Sequence, residues 1–213
     1  MKRSLFQGFL ATGLLAAVSL ASAATIQFRA DLSGADEIPP TGSPGSGVGI
    51  VVYDSVAHTL TLDIDFADLF PTTATGTASG TTASHIHCCQ ATPFQGNAGV
   101  ATTTPSFVGF PLGVTSGHAS IVLDLTLPSS YNLNPGAFFQ LNGGTAASAE
   151  AALIAGIEEG RSYLNIHTTR FGGGEIRGEL IPEPGTIALL GFGMAAMGAL
   201  ARRSRSTGRQ TGR

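Results

Sequence analysis

Beyond Lys2 the chain has no lysine, it has no tryptophan anywhere, and its only two cysteines, Cys88 and Cys89, are neighbours. Charged residues make up 12% of the 213 positions, and the basic ones are concentrated at the two ends. Between Ala24 and Ile181 only Arg29, Arg161, Arg170 and Arg177 are basic, against 13 acidic residues. This stretch therefore carries about −9 with histidines neutral, although the whole chain carries −3. That balance excludes a nucleic-acid partner, because displacing counterions from a phosphate backbone takes lysines and arginines. It fits a protein kept soluble outside the cell, with divalent cations as the sharper alternative. Also missing are a nucleophile elbow, a phosphate-binding loop and a paired-carboxylate signature, so no motif-based enzyme class is indicated. There is no internal repeat, and the 29 glycines lack the period of collagen.

Long apolar runs are absent from the middle of the chain and present at both ends. Lys2 and Arg3 precede an apolar stretch from Leu5 to Leu20, and Ala21-Ser22-Ala23 follows as a small-residue cleavage site. This order is that of a secretory signal peptide over residues 1–23, cut by signal peptidase between Ala23 and Ala24. The second run, Gly185 to Ala201, spans 17 residues between Pro182-Glu183-Pro184 and the cluster Arg202, Arg203 and Arg205. At about 1.5 Å per residue it nearly crosses a hydrocarbon core of roughly 30 Å. Arginines on its far side place the C-terminus in the cytoplasm and the main domain outside.

The region 24–181, about 158 residues, suffices for one domain with one core. Ile26, Phe28, Ala30 and Leu32 alternate with Gln27, Arg29 and Asp31, the period of a half-buried strand. The same pattern predicts strands over 48–53, 60–66, 83–87, 117–125, 163–167 and 174–181, with a hairpin through Asp54 to His58. Residues 101–115, with Pro105 and Pro111, read as a long loop. One helix is expected over 146–159, capped by Thr145, with Ala149, Leu153 and Ile157 on its apolar face and Gly160 ending it. The fold class expected is an all-β antiparallel Greek-key sandwich with one short inserted helix, plus terminal signal and membrane helices.

The candidate chemistry is carried by histidines. In Ser84-His85-Ile86-His87, period two puts both imidazoles on one face, within about 7 Å of each other. His167 joins that side if Ile166 points inward, and three such donors would suit one copper or zinc ion. The alternative is histidines that merely hydrogen-bond their neighbours, and His58 and His118 are read as ordinary surface residues. For Cys88 and Cys89 three arrangements stand: a vicinal disulfide, an interchain link, or thiolates sharing a metal with His85 and His87. Glu175 and Arg177, two apart on one strand face, are placed for a local ion pair of about 0 to 1 kcal/mol.

Two resemblances rest on ordered motifs. Pro182-Glu183-Pro184-Gly185, the apolar helix and the arginine cluster, over 182–206, resemble the PEP-CTERM sorting signal, with residues 207–213 as a basic tail. That resemblance implies recognition by an exosortase at the membrane. The runs Leu32-Ser33-Gly34-Ala35-Asp36-Glu37-Ile38-Pro39-Pro40, Ser84 to His87, Tyr163 to Thr168 and Gly173 to Gly178 together resemble the CHRD domain. It implies an immunoglobulin-like or superoxide-dismutase-like sandwich in an exported protein, and it carries over no catalytic residue. His85 and His87 are also similar to the copper-binding strand of copper-zinc superoxide dismutase, although that enzyme's remaining ligands are not evident. The expectation is a non-enzymatic surface or matrix protein, meeting extracellular polysaccharide or protein. The competing expectation is a dismutase-like redox enzyme using His85, His87 and His167 with copper or zinc.

Overall fold

The computed structural model describes residues 25–183. The expected signal peptide with its Ala23–Ala24 cut, Pro184 and the expected membrane helix lie outside the described residues. Among those described, no helix is long and apolar enough to cross a membrane.

Eight strands make one antiparallel sheet: β1 (Thr25–Ser33), β2 (Ser46–Asp54), β3 (Thr59–Ala67), β4 (Thr81–Cys88), β5 (Gly117–Asp124), β6 (Ser162–Thr168), β7 (Ile176–Glu179) and β8 (Ile181–Pro182). The strands run in the order β4-β6-β7-β1-β2-β3-β5, with β8 paired to β1 beside β7. The chain therefore crosses to the far edge between β3 and β4 and returns for β5, which a meander would not do.

Alternation explains the first half of the sheet. Phe28, Ala30 and Leu32 of β1, Leu60, Leu62, Ile64 and Phe66 of β3, and Ala119, Ile121 and Leu123 of β5 are all buried. The sheet curls so that its two halves face each other over this core. At Gly49 of β2 a side chain would collide with Leu164 of β6, so glycine there permits close approach of the two layers. Thr61, Asp63 and Asp65 of β3 point outward as the alternation requires.

Helix α2 (Ala146–Glu158) follows a single-turn helix α1 (Phe138–Leu141) and a 3-10 turn at Pro128–Ser130, neither of them anticipated. The Thr145 side chain accepts from Ser148 N–H, which satisfies one of the free donors of the first helical turn. Ala149, Leu153 and Ile157 are fully buried as the spacing predicts. The loop expected over 101–115 turns inward in part, since Ala101, Phe107 and Phe110 join the core.

β4, β6 and β7 depart from half-burial, because nearly every one of their residues is buried. One face of these strands carries Ile86, Leu164, Ile166 and Ile176 into the core. The other face is polar and also covered, and it holds the candidate site.

Candidate metal centre

Register builds the polar face as a grid across three strands. His85 stands opposite Asn165, which stands opposite Arg177, and His87 stands opposite Tyr163, which stands opposite Glu179. His167 faces Ala83. Period-two geometry thus puts all three histidines on one face, and the pairing of β4 with β6 brings them together.

The imidazole ring centroids of His85 and His167 are 5.1 Å apart, those of His87 and His167 5.6 Å, and those of His85 and His87 5.9 Å. One nitrogen from each ring lies within 4.8 Å of the others. The three residues are between 5% and 8% exposed. Asp63, Asp65 and His118 form a second such group on the outer face of β3 and β5, but all three residues are exposed.

Hydrogen bonds assign the tautomers. His85 Nε2 lies 2.7 Å from Pro105 O, His87 Nδ1 lies 2.9 Å from Ala98 O, and His167 Nδ1 lies 3.0 Å from Gly172 O. A carbonyl only accepts, so each of these nitrogens carries the proton and donates it. The remaining nitrogens, His85 Nδ1 and the Nε2 atoms of His87 and His167, are bare lone pairs in the neutral rings. His85 Nδ1 is buried with no hydrogen-bond partner. The carbonyls come from loops, Ala98 and Pro105 from the crossover after β4 and Gly172 from the β6–β7 turn. Residues 99–102 run along the free edge of β4, where Cys88 N–H donates to Gly99 O and Ala101 N–H to Ile86 O.

Electrostatics keep the rings neutral. Burial, then the neighbouring His167, takes His85 down to about 4, against the Pro105 bond that favours the proton. Burial also takes His87 to about 4, aided by His167, His85 and Arg177. Burial lowers His167 as well, opposed by Gly172. Neutral imidazole is the metal-binding form.

The face around the histidines is fixed by a stack. His87 lies parallel to Tyr163 at 4.8 Å, with 8° between the planes, and the Arg177 guanidinium carbon sits 4.5 Å from the Tyr163 ring. Arg177 donates to Asp36 O, Gly96 O and Asn97 Oδ1, the last at 2.8 Å. The Tyr163 hydroxyl lies 3.3 Å from Ala98 O, the carbonyl that also holds His87. Asn165 donates to Glu37 at 2.7 Å, and burial raises the Glu37 pKa.

The expected pairing of Glu175 with Arg177 does not form. Glu175 is fully buried and accepts from Ser43 Oγ, Phe70 N–H and Thr168 Oγ1 at 2.6, 2.7 and 2.6 Å. Loops arriving from distant parts of the chain supply each residue with other partners, which a strand pattern does not reveal. His58 is half-exposed but contacts both Glu150 oxygens at 2.9 Å. Glu150 also accepts from Tyr53 at 2.8 Å, and this tie from α2 to the β2–β3 hairpin was not foreseen.

Cys88, the last residue of β4, and Cys89 lie with their sulfurs within bonding distance, packed with the core and beside Gly156 of α2. Of the sorting motif, Pro182 and Glu183 fall within the described residues. Pro182 pairs with Phe28 of β1, so the sheet continues one residue past the expected domain end at 181.

Residues 28–180 match the family model of the CHRD domain, and residues 180–205 match that of the PEP-CTERM protein-sorting motif. No curated protein and no solved structure matches the chain.

Proposed function

This chain belongs to the CHRD-domain family and carries a PEP-CTERM sorting motif, and from that premise we propose an exported module that holds one copper or zinc ion. The sorting motif marks an exported protein handed to exosortase-type processing. The ligands are His85 Nδ1, His87 Nε2 and His167 Nε2. The module serves a binding or structural role at the cell surface, among extracellular polysaccharide or protein.

One observation carries the reading: three buried imidazoles each donate one ring N–H to a loop carbonyl, and one nitrogen from each ring lies within 4.8 Å of the others. Histidine ligands of metals characteristically donate their second nitrogen to such a partner, which fixes tautomer and ring orientation. The donor set selects the metal, since imidazole suits zinc and copper whereas calcium and magnesium require oxygen ligands.

A second reading, a dismutase-like redox enzyme, is favoured by the donor count. Three protein ligands, with no fourth grouped with them among the described residues, leave a position open to a small exogenous ligand, the arrangement of catalytic rather than structural zinc sites. Of the carboxylates on or beside this face, Glu37 accepts from Asn165 and Glu179 from Gln90.

Metal analysis of protein secreted by its own host tests the first reading. About one copper or zinc per chain is expected, and none in His85→Ala. A wild-type protein free of both metals overturns it. Superoxide consumption by the copper-loaded protein, lost in His167→Ala, would shift the assignment to the enzyme.

A further inference from the structure

The sorting motif begins inside the fold. Leu180, the last residue matched by the domain and the first matched by the sorting motif, is fully buried and donates its N–H to Ser162 O. The next two residues are β8, where Ile181 pairs with Arg29 and Pro182 with Phe28. Glu183 continues the ladder, its N–H 3.0 Å from Gln27 O. No linker separates the domain from its tag.

The composition of the motif makes this pairing consequential. Proline has no backbone N–H, so in Pro182-Glu183-Pro184 the Glu183 amide is the one main-chain donor. That donor is committed to β1. The Glu183 carboxylate lies in the field of Arg29, which is itself bonded to Asp31 at 2.6 Å. Arg29, Asp31, Glu179, Pro182 and Glu183 line a cavity of about 370 Å³ along this edge. An enzyme that reads an extended peptide needs the same backbone groups that a neighbouring strand uses.

We propose that β8 is a latch: β1 and the processing enzyme compete for the Pro182-Glu183 segment, and the tag is processed only when β8 peels from β1. The partner is the exosortase-type enzyme of the membrane, and the contested surface is the β1 edge at Gln27, Phe28 and Arg29. Leu180 remains seated in the core as β8 leaves, so the domain stays folded while its tag is read. This latch rests on the exosortase reading of the sorting motif. A strand of two residues held by few main-chain bonds is weak enough to open, since each such bond contributes about 1 kcal/mol net. It is strong enough to slow capture by roughly fivefold or more.

The test uses the full chain in its native host, with conversion followed by pulse-chase and intact mass. Arg29→Cys with Ile181→Cys joins a directly paired couple across β1 and β8. The oxidised double variant is expected to accumulate uncut and to be processed once reductant is added, with wild type and both single variants under the same reductant as controls. A four-residue Gly-Ser insertion between Ile181 and Pro182, which interrupts β8 and leaves the sequence of the other seven strands unchanged, is expected to speed conversion roughly fivefold. Conversion of the stapled protein at the wild-type rate, or no acceleration by the insertion, overturns the latch alone. No conversion of wild type or of any variant overturns the exosortase reading and the latch with it.

Discussion

Nε2 of His87 lies 3.4 Å from Nε2 of His167, and neither atom has a proton to donate, because each ring has given its Nδ1 proton to a backbone carbonyl. Two lone pairs facing each other at that separation repel. The spacing is close to the about 3.3 Å between two nitrogens bound at about 2.0–2.1 Å to one tetrahedral zinc. A cation between them would turn the repulsion into attraction.

Adding zinc to metal-free protein is therefore expected to raise its unfolding free energy, by about 2.7 kcal/mol when free metal is a hundredfold above Kd. His87→Ala, which removes one of the three donors, should abolish the effect. Thermal unfolding with and without chelator, on both proteins, checks this.

The metal-free protein is expected to lose stability on acidification. His85 and His87 have folded pKa values lowered from 6.5 to about 4, so the unfolded chain binds more protons between those limits. Their contribution is fully present above about pH 6.5 and is lost as pH falls to about 4, on the order of a few kcal/mol in total. Glu37 and Glu179, raised by burial, act in the opposite sense. Urea unfolding across pH 4–7 in chelator measures the slope, and His85→Gln should flatten it.

Arg177→Met should destabilise by roughly 2–4 kcal/mol. The Asp36 and Gly96 carbonyls and Asn97 Oδ1 would lose their donor inside a covered face, and Tyr163 would lose the cation over its ring. Arg177→Lys is not a rescue, because one ammonium cannot span three acceptors while lying flat on the ring. Chemical denaturation of the two variants decides it.

Gly156→Ala is expected to destabilise by about 1–3 kcal/mol, although alanine favours a helix interior over glycine by nearly 1 kcal/mol. A methyl group there would run into both sulfurs of Cys88 and Cys89 and crowd the Ser162 hydroxyl. Denaturation of the variant, with thiol titration of the unfolded protein to report the state of the cysteines, tests the packing of α2 against that pair.

Much of this was legible in the chain. Alternation located β1, β3 and β5 and assigned their core faces, because a half-buried strand needs one apolar and one polar face. Thr145 and Gly160 bounded α2. His85 and His87 were visible as a same-face pair, and Ile166 gave the orientation of His167. The partners of Glu175, Arg177 and His58 were not legible, because they come from loops or from α2, more than 80 residues away in some cases, as with Ser43 on Glu175 and Glu150 on His58. Neither was the full burial of β6, whose Tyr163, Asn165 and His167 read as a solvent face until loops cover them.

The sequence alone determined which residues share a face, since side-chain direction along a strand follows from backbone geometry with period two. It also carried the C-terminal sorting motif, through its Pro-Glu-Pro run, apolar stretch and arginine cluster. Only the tertiary structure decided that β6 lies between β4 and β7 and not beside β5, and that the carbonyls of Ala98, Pro105 and Gly172 reach the three imidazoles. Strand order and loop placement depend on which long-range pairings bury the most surface and satisfy the most polar groups together, and no local pattern encodes that choice.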